Sequence, residues 1–240
     1  MFDFIRTIIF WVLMILITVV LTVCGLLSVL IPSYRFRYFV ITRWSLVFIF
    51  LSHYVLKINY KIKGIENLHH KHPMIVVSNH QSAWEAIFFQ TIFPAQTWVL
   101  KKELLFIPVF GWGLALLNPI AINRKAKSNA LSQVIFAGKK RLKQRIWVVI
   151  FPEGARVEPG KSAKKWGKSF AQLSFETKSP ILPVAHNAGK CWKKRGFVKP
   201  PGTIEIEIGP IISGEKSAQA LFEETKTWIE IHSSSLNSSH

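Results

Sequence analysis

The 240-residue chain has little cysteine and few acidic residues. Two cysteines, Cys24 and Cys191, cannot build a disulfide framework. Cys24 lies in an apolar run, and together these point to a reducing compartment. Only 13 Asp and Glu stand against 31 Lys and Arg, for a formal charge of +18. A surplus of that size selects an anionic partner: nucleic acid, a phospholipid surface or a phosphorylated substrate. There is no Gly-x-Ser-x-Gly elbow, which leaves a serine acyl-enzyme without its nucleophile. Gly160–Ser169 ends in Gly167-Lys168-Ser169 like a phosphate-binding loop, but Ser162 occupies the place of the first glycine, so that reading fails. His69, His70 and His72 have no cysteine or carboxylate pair at ligand spacing and read as a solvated loop rather than a metal site. Asn237-Ser238-Ser239 fits the glycosylation pattern, which a cytosolic tail does not present to the modifying enzyme. What the chain has in abundance is hydrophobic residues, at 50%, which excludes intrinsic disorder. The length suits one domain with an appendage.

The appendage is N-terminal, over residues 1–56. Thr7 to Ile31 runs 25 residues without a charge. As a helix it extends roughly 37 Å, enough to cross a hydrocarbon core of about 30 Å with tilt. The run is too long for a signal-peptide core, and Pro32-Ser33-Tyr34-Arg35 rather than a small-residue cleavage site follows it, so it is expected to be an anchor. A second apolar stretch over 44–56 is short for a span and suits an interfacial or re-entrant helix. Arg35, Arg37 and Arg43 follow the first run, whereas Arg6 before it is offset by Asp3. The main domain is therefore expected on the cytosolic side, and a hairpin dipping into one leaflet gives the same result. A basic domain at an anionic membrane needs no nucleic acid to explain its charge.

Residues 57–232 alternate between strand and helix signals. Buried strands are expected at Met74–Val77, Trp147–Phe151 and Pro180–Ala185. Thr203–Gly209, where Ile alternates with Glu, should be a half-exposed strand near a sheet edge. Helices are expected at Ala83–Phe93, Ser128–Gln144, Lys168–Lys178 and Glu215–Ile231, with a frayed tail over 233–240. The pattern predicts an α/β fold: a single domain with a central mixed sheet flanked by helices, preceded by a membrane-embedded helical anchor. Leu104–Ile120 is apolar and Gly-rich. It fits either plain core or a segment that faces the membrane or lines an acyl chain.

Two turns carry chemistry. Ser78-Asn79-His80-Gln81-Ser82-Ala83-Trp84-Glu85 follows a buried strand. Residues five apart on one helix point about 140° away from each other, so His80 and Glu85 meet only if His80 precedes the helix. Glu85 would then fix the imidazole through Nδ1 and leave Nε2 to take a proton; a capping histidine beside an exposed glutamate fits the same residues. Phe151-Pro152-Glu153-Gly154-Ala155-Arg156 follows a second buried strand, where a glycine turn and an arginine fork suit an anion and an ordinary loop is the alternative.

Together the two motifs resemble those of the lysophosphatidic acid acyltransferases (1-acyl-sn-glycerol-3-phosphate O-acyltransferases), a family of glycerolipid acyltransferases. That family is marked by Asn-His followed by four residues and Asp, and by Phe-Pro-Glu-Gly-Thr-Arg. Blocks at Lys101-Lys102-Glu103-Leu104, at Ile120-Ala121-Ile122-Asn123-Arg124 and at Ile181-Leu182-Pro183-Val184 fall in the family's order, and the resemblance covers roughly residues 60–215. It implies a membrane-bound enzyme that moves a fatty acyl group from acyl-coenzyme A or acyl-carrier protein to the sn-2 hydroxyl of lysophosphatidic acid. In that scheme His80 is the base and Glu85 its orienter. Arg124, Gly154 and Arg156 hold the acceptor phosphate, and Glu153 orders the loop or binds a glycerol hydroxyl. Lys101 or Lys102 is set beside the oxyanion. The thioester brings its own activation, so no cofactor or metal is expected. Glu85 for Asp, Ala155 for Thr, Asn118 for Gly and Asn123 for Asp depart from the pattern. They leave open another lysophospholipid or lyso-aminolipid acceptor, or an inactive lipid-binding protein.

Overall fold

The computed structural model describes residues 1–31, 33–68, 72–122 and 130–238. In chain order the elements are α1 (Phe2–Leu27), α2 (Tyr34–Tyr54), β1 (Ile58–Lys63), β2 (Ile75–Ser78), α3 (Trp84–Ile92), β3 (Gln96–Lys101), α4 (Phe110–Leu116), β4 (Ile120–Ile122), α5 (Ala130–Lys143), β5 (Trp147–Ile150), α6 (Ser169–Thr177), β6 (Ile181–His186), β7 (Gly202–Ile208) and α7 (Ala218–Ser238). Among the described residues the strands form one seven-stranded sheet in the order β1-β7-β6-β2-β5-β3-β4. Neighbours are parallel except β6 and β7, so the sheet is mixed.

Strand alternation divides the core into two layers. Met74, Val76, Trp147, Val149, Leu182 and Val184 face one side, where they join residues of α1, α2 and α3. Ile75, Val77, Val148, Ile150 and Ile181 face the other, with residues of α5, α6 and α7. The central strands are buried on both faces and read in sequence as continuous apolar runs.

Two expectations are corrected in detail, and one holds. The second N-terminal helix begins at Tyr34, not near 44. Its first half carries Arg35, Arg37 and Arg43, which sit on its exposed or half-exposed side, with Arg43 lying over the Phe39 ring at 4.0 Å. As expected near a sheet edge, the Ile–Glu strand β7 lies one strand in from the edge strand β1, and along β7 buried residues alternate with half-buried ones. Its isoleucines are buried, and its Glu207 meets His232 of α7 at 3.0 Å. The tail expected to fray from 233 is helical as far as Ser238. Leu236 is buried and its carbonyl accepts from Asn187 and Lys190, while Asn237 and Ser238 bond back to carbonyls of the preceding turn.

Phe2–Leu30 is long and apolar enough to cross a membrane. One side of α1 packs on the domain: Phe10 meets Phe48 and Trp192 edge to face, and Thr7 Oγ1 accepts from Lys199 N at 3.1 Å. Its other side exposes Ile8, Val12, Ile15 and Val19. In the apolar stretch after β3, Phe106, Ile107 and Trp112 are exposed, while Leu104, Phe110 and Leu114 line a cavity. Before α4 the chain makes a tight turn, Phe110 N to Pro108 O at 2.7 Å, with Val109 at φ +64. A β-branched residue is strained there.

Candidate active site

The buried strand β2 ends at Ser78, and five residues follow before α3 begins, so His80 lies in the turn. The turn is closed by one carboxylate. Glu85, in the first turn of α3 and fully buried, accepts from the backbone N–H of Gln81 at 3.0 Å and of Ser82 at 2.9 Å, and from the Ser82 hydroxyl. Ser82 Oγ in turn accepts from Trp84 N at 3.0 Å. This reciprocal arrangement works as a capping box, with the helix's first donors satisfied by Ser82 and Glu85. The same carboxylate lies 2.8 Å from His80 Nδ1. Burial opposes ionisation of Glu85. The positive ends of His186 and His80 and the hydrogen bonds from His80 and Ser82 outweigh it, holding the carboxyl well below its usual range. An ionised carboxylate only accepts, so Nδ1 carries the proton, and in the neutral ring the lone pair is on Nε2.

Behind the turn, Asn79 and His186 tie β2 to β6. Asn79 Nδ2 donates to His186 O at 2.9 Å, and His186 N to Asn79 Oδ1 at 3.1 Å. His186 Nδ1 accepts from Ala188 N, so its Nε2–H donates to Asn79 O at 2.9 Å. Burial lowers the His186 pKa, in keeping with that neutral form.

The second turn follows β5. Phe151 stacks on the His80 ring with centroids 4.4 Å apart. Glu153 Oε2 accepts from His80 N at 3.0 Å, and His80 O accepts from Val157 N at 2.7 Å, so the two turns are stitched together. Burial raises the Glu153 pKa to about 8, opposed by its bond from His80 N and reinforced by the nearby charge of Glu85. Gly154 sits at φ +69, a conformation that glycine adopts without cost, and it reverses the chain so that Ala155 and Arg156 reach the cavity.

That cavity, about 520 Å³, has His80 on its wall together with Lys101, Gly154, Arg156 and Lys194. The rest is largely apolar and comes partly from the N-terminal helices, with Leu21 of α1 and Ile41 and Trp44 of α2 facing Leu100, Leu114 and Leu117. Of the residues singled out in the sequence, His80, Glu85, Glu153, Gly154 and Arg156 come together. Glu153 turns to the His80 backbone rather than to the cavity wall. Lys101 lines the cavity, and Lys102 opens the 3-10 turn Lys102–Phe106 away from the lining. Arg124 lies outside the described residues, as do His69 and His70. The sequence reading missed His186, the last residue of β6, which no motif marks. Lys194 donates to Arg156 O at 2.9 Å from 38 residues away.

Residues 59–187 match the family model described as Acyltransferase. A 1-acyl-sn-glycerol-3-phosphate acyltransferase of Pseudomonas aeruginosa is 40% identical over 233 residues, covering 94% of this chain and 89% of that protein. The human 1-acyl-sn-glycerol-3-phosphate acyltransferase beta is 26% identical over 159 residues, covering 65% of this chain and 56% of that protein. The crystal structure of the 1-acyl-sn-glycerophosphate acyltransferase PlsC from Thermotoga maritima shares the fold, with a TM-score of 0.82 over 99% of this chain and 97% of that one at 21% identity. With a family model covering more than half its length and a relative matched nearly end to end, the chain belongs to the acyltransferase family, alongside the 1-acyl-sn-glycerol-3-phosphate acyltransferases.

Proposed function

We propose that the enzyme transfers a fatty acyl group from an acyl thioester to the sn-2 hydroxyl of lysophosphatidic acid, giving phosphatidic acid at a membrane surface. The observation that carries this reading is a histidine with Nδ1 bound to an ionised carboxylate, set in the wall of an apolar cavity whose other polar groups are cationic. The acceptor hydroxyl gives its proton to His80 Nε2 as its oxygen bonds to the thioester carbon. The C–S bond then breaks, and the departing sulfur takes the proton back from the imidazolium. Glu85 orients the ring and stabilises its charged form. Arg156 and Gly154, with Arg124, hold the acceptor phosphate, and Lys194 steadies Arg156 through its carbonyl. Lys101 stands at the oxyanion, a place that Lys102, off the cavity lining, does not take. Glu153 orders the turn through His80 N. The thioester supplies the activation, so the scheme needs no cofactor.

The departure of Glu85 from the family's Asp leaves the ring contact at 2.8 Å, which supports an active site over an inactive lipid binder. Because α1 lies against the domain on one side, the reading for the N-terminal helices is shallow immersion in one leaflet, with the basic domain on the cytosolic side. The test is thiol release from a long-chain acyl-coenzyme A by detergent-purified protein, with and without lysophosphatidic acid. Acceptor-dependent release is the expected result. Release indifferent to the acceptor would mean thioester hydrolysis, and release with a lysolipid lacking the phosphomonoester but not with lysophosphatidic acid would replace the acceptor.

A further inference from the structure

Next to the apolar cavity at the His80–Gln81 turn lies a second concavity, a cleft of about 610 Å³. Its lining is polar and cationic: Lys190, Lys193, Lys194 and Arg195, with Gln81, Glu158 and small residues. The two concavities share Lys194, and Gln81 adjoins the proposed base, so the cleft begins where the reacting thioester would sit.

The cleft is built rather than incidental. Gly189 N donates to Gln81 Oε1 at 3.0 Å, closing one wall on the catalytic turn. A Cβ on Gly189 would come within 2.7 Å of the Pro159 ring and 3.0 Å of the Gln81 Cβ, so only glycine allows these walls to approach. The cationic loop is pinned at both ends, by the buried Trp192 against Phe10, Trp11 and Phe48, and by Lys199 N on Thr7 of α1. Between those pins Lys193, Lys194 and Arg195 are exposed. The acid in the lining, Glu158, is paired with Lys161 at 2.6 Å and also lies in the field of Lys194 and Arg195. Four cationic side chains thus line the cleft with one acid, an excess of positive charge that suits an anion.

We infer that this cleft is the subsite for the phosphates of the donor's coenzyme A moiety, resting on the reading that acyl transfer occurs at His80. The acyl chain fills the apolar cavity, the thioester lies at His80, and the departing thiol with its nucleotide end leaves past Gln81 into the cationic cleft. A concave site of this size suits a small polyanion, whereas a carrier protein's acidic helix needs an open convex-to-flat surface. No aliphatic side chain continues the lining, as a resident phospholipid would require.

The test uses full-length protein in uncharged detergent and the variant K193E/R195E, which spares Lys194 and the catalytic turns. Calorimetric titration with free coenzyme A reads the cleft without turnover. The wild type is expected to bind, with affinity about tenfold weaker for the variant and weaker for the 3′-dephospho form. In turnover, the variant's KM for acyl-coenzyme A rises about tenfold, while its KM for lysophosphatidic acid and its kcat stay within about twofold. With the same acyl chain on pantetheine, wild type and variant become equal. Absence of coenzyme A binding by the wild type would overturn the inference, as would equal losses with both donors or a KM rise confined to a carrier-protein donor. So would lost binding to anionic vesicles with an unchanged acyl-coenzyme A KM, which would assign the loop to the lipid surface. Coenzyme A binding without acceptor-dependent transfer would instead sink the acyl-transfer reading and leave the cleft assignment standing.

Discussion

The two turns that meet at His80 each bring a glutamate to it, and the two carboxyls are held in opposite states. Glu85 is fully buried yet ionised, because two backbone N–H groups, a serine hydroxyl and the imidazole all point at it. The Glu153 pKa is raised to about 8 by burial and by the nearby charge of Glu85, and the one backbone N–H it receives does not offset them. Two carboxylates so close do not both ionise cheaply, and the one with more hydrogen-bond donors pointed at it, Glu85, takes the charge. The contrast teaches a division of labour. The β2 turn fixes one ring in one orientation. The β5 turn uses a neutral acid to hold the backbone and leaves Arg156 facing the cavity.

Removing the ring is expected to have the largest effect. His80→Ala should lower kcat/KM by about a thousandfold with the thermal midpoint little changed, checked by turnover and calorimetry. Glu85→Gln should come next, at about a hundredfold, because an amide presents donors to the Gln81 and Ser82 N–H groups and no charge to the imidazolium. Glu85 also gives an acid-side signature. Its folded pKa lies below the usual 4.5, so its stabilisation is complete above that value and is lost as pH falls through the folded pKa. Urea titrations from pH 6 downward should show this loss in the wild type and not in the glutamine variant.

Arg156→Ala should raise the KM for lysophosphatidic acid about tenfold with a smaller change in kcat; a change confined to the donor's KM would count against its assignment. Glu153→Gln should be the mildest, with kcat within about twofold, since the amide oxygen still accepts from His80 N. Its stability signature runs the other way. The wild type binds more protons folded than unfolded between about pH 4.5 and 8, so its stability falls as pH rises through that window, and the variant should flatten that slope. Equal losses in the two glutamine variants would erase the distinction between the carboxyls.

The sequence made the His80–Glu85 pair legible because a helix geometry rule forbids the contact unless His80 precedes α3. The central strands were legible because burial on both faces leaves continuous apolar runs. β1 (Ile58–Lys63) hid because its lysines and asparagine face outward at a sheet edge. β3 hid inside a long mixed stretch, where Thr97 is buried and Lys101 lies at the cavity. The first half of α2 hid because its arginines read as flanking charges. The bonds from Glu153 to His80 and from Asn79 to His186 span 73 and 107 residues, and no local pattern encodes such a pairing.

The wall that α1 and α2 give to the cavity sets the chain apart from a soluble enzyme on a tether. Thr18, Leu21 and Thr22 form one stripe of α1 that faces the chamber, while the opposite side meets only its surroundings. Inheritance along this helix should therefore be lopsided, with the stripe held in register with α4 and α2 and the outer residues free to drift among apolar types. A chimera carrying a borrowed hydrophobic hairpin would keep its address and lose its chamber.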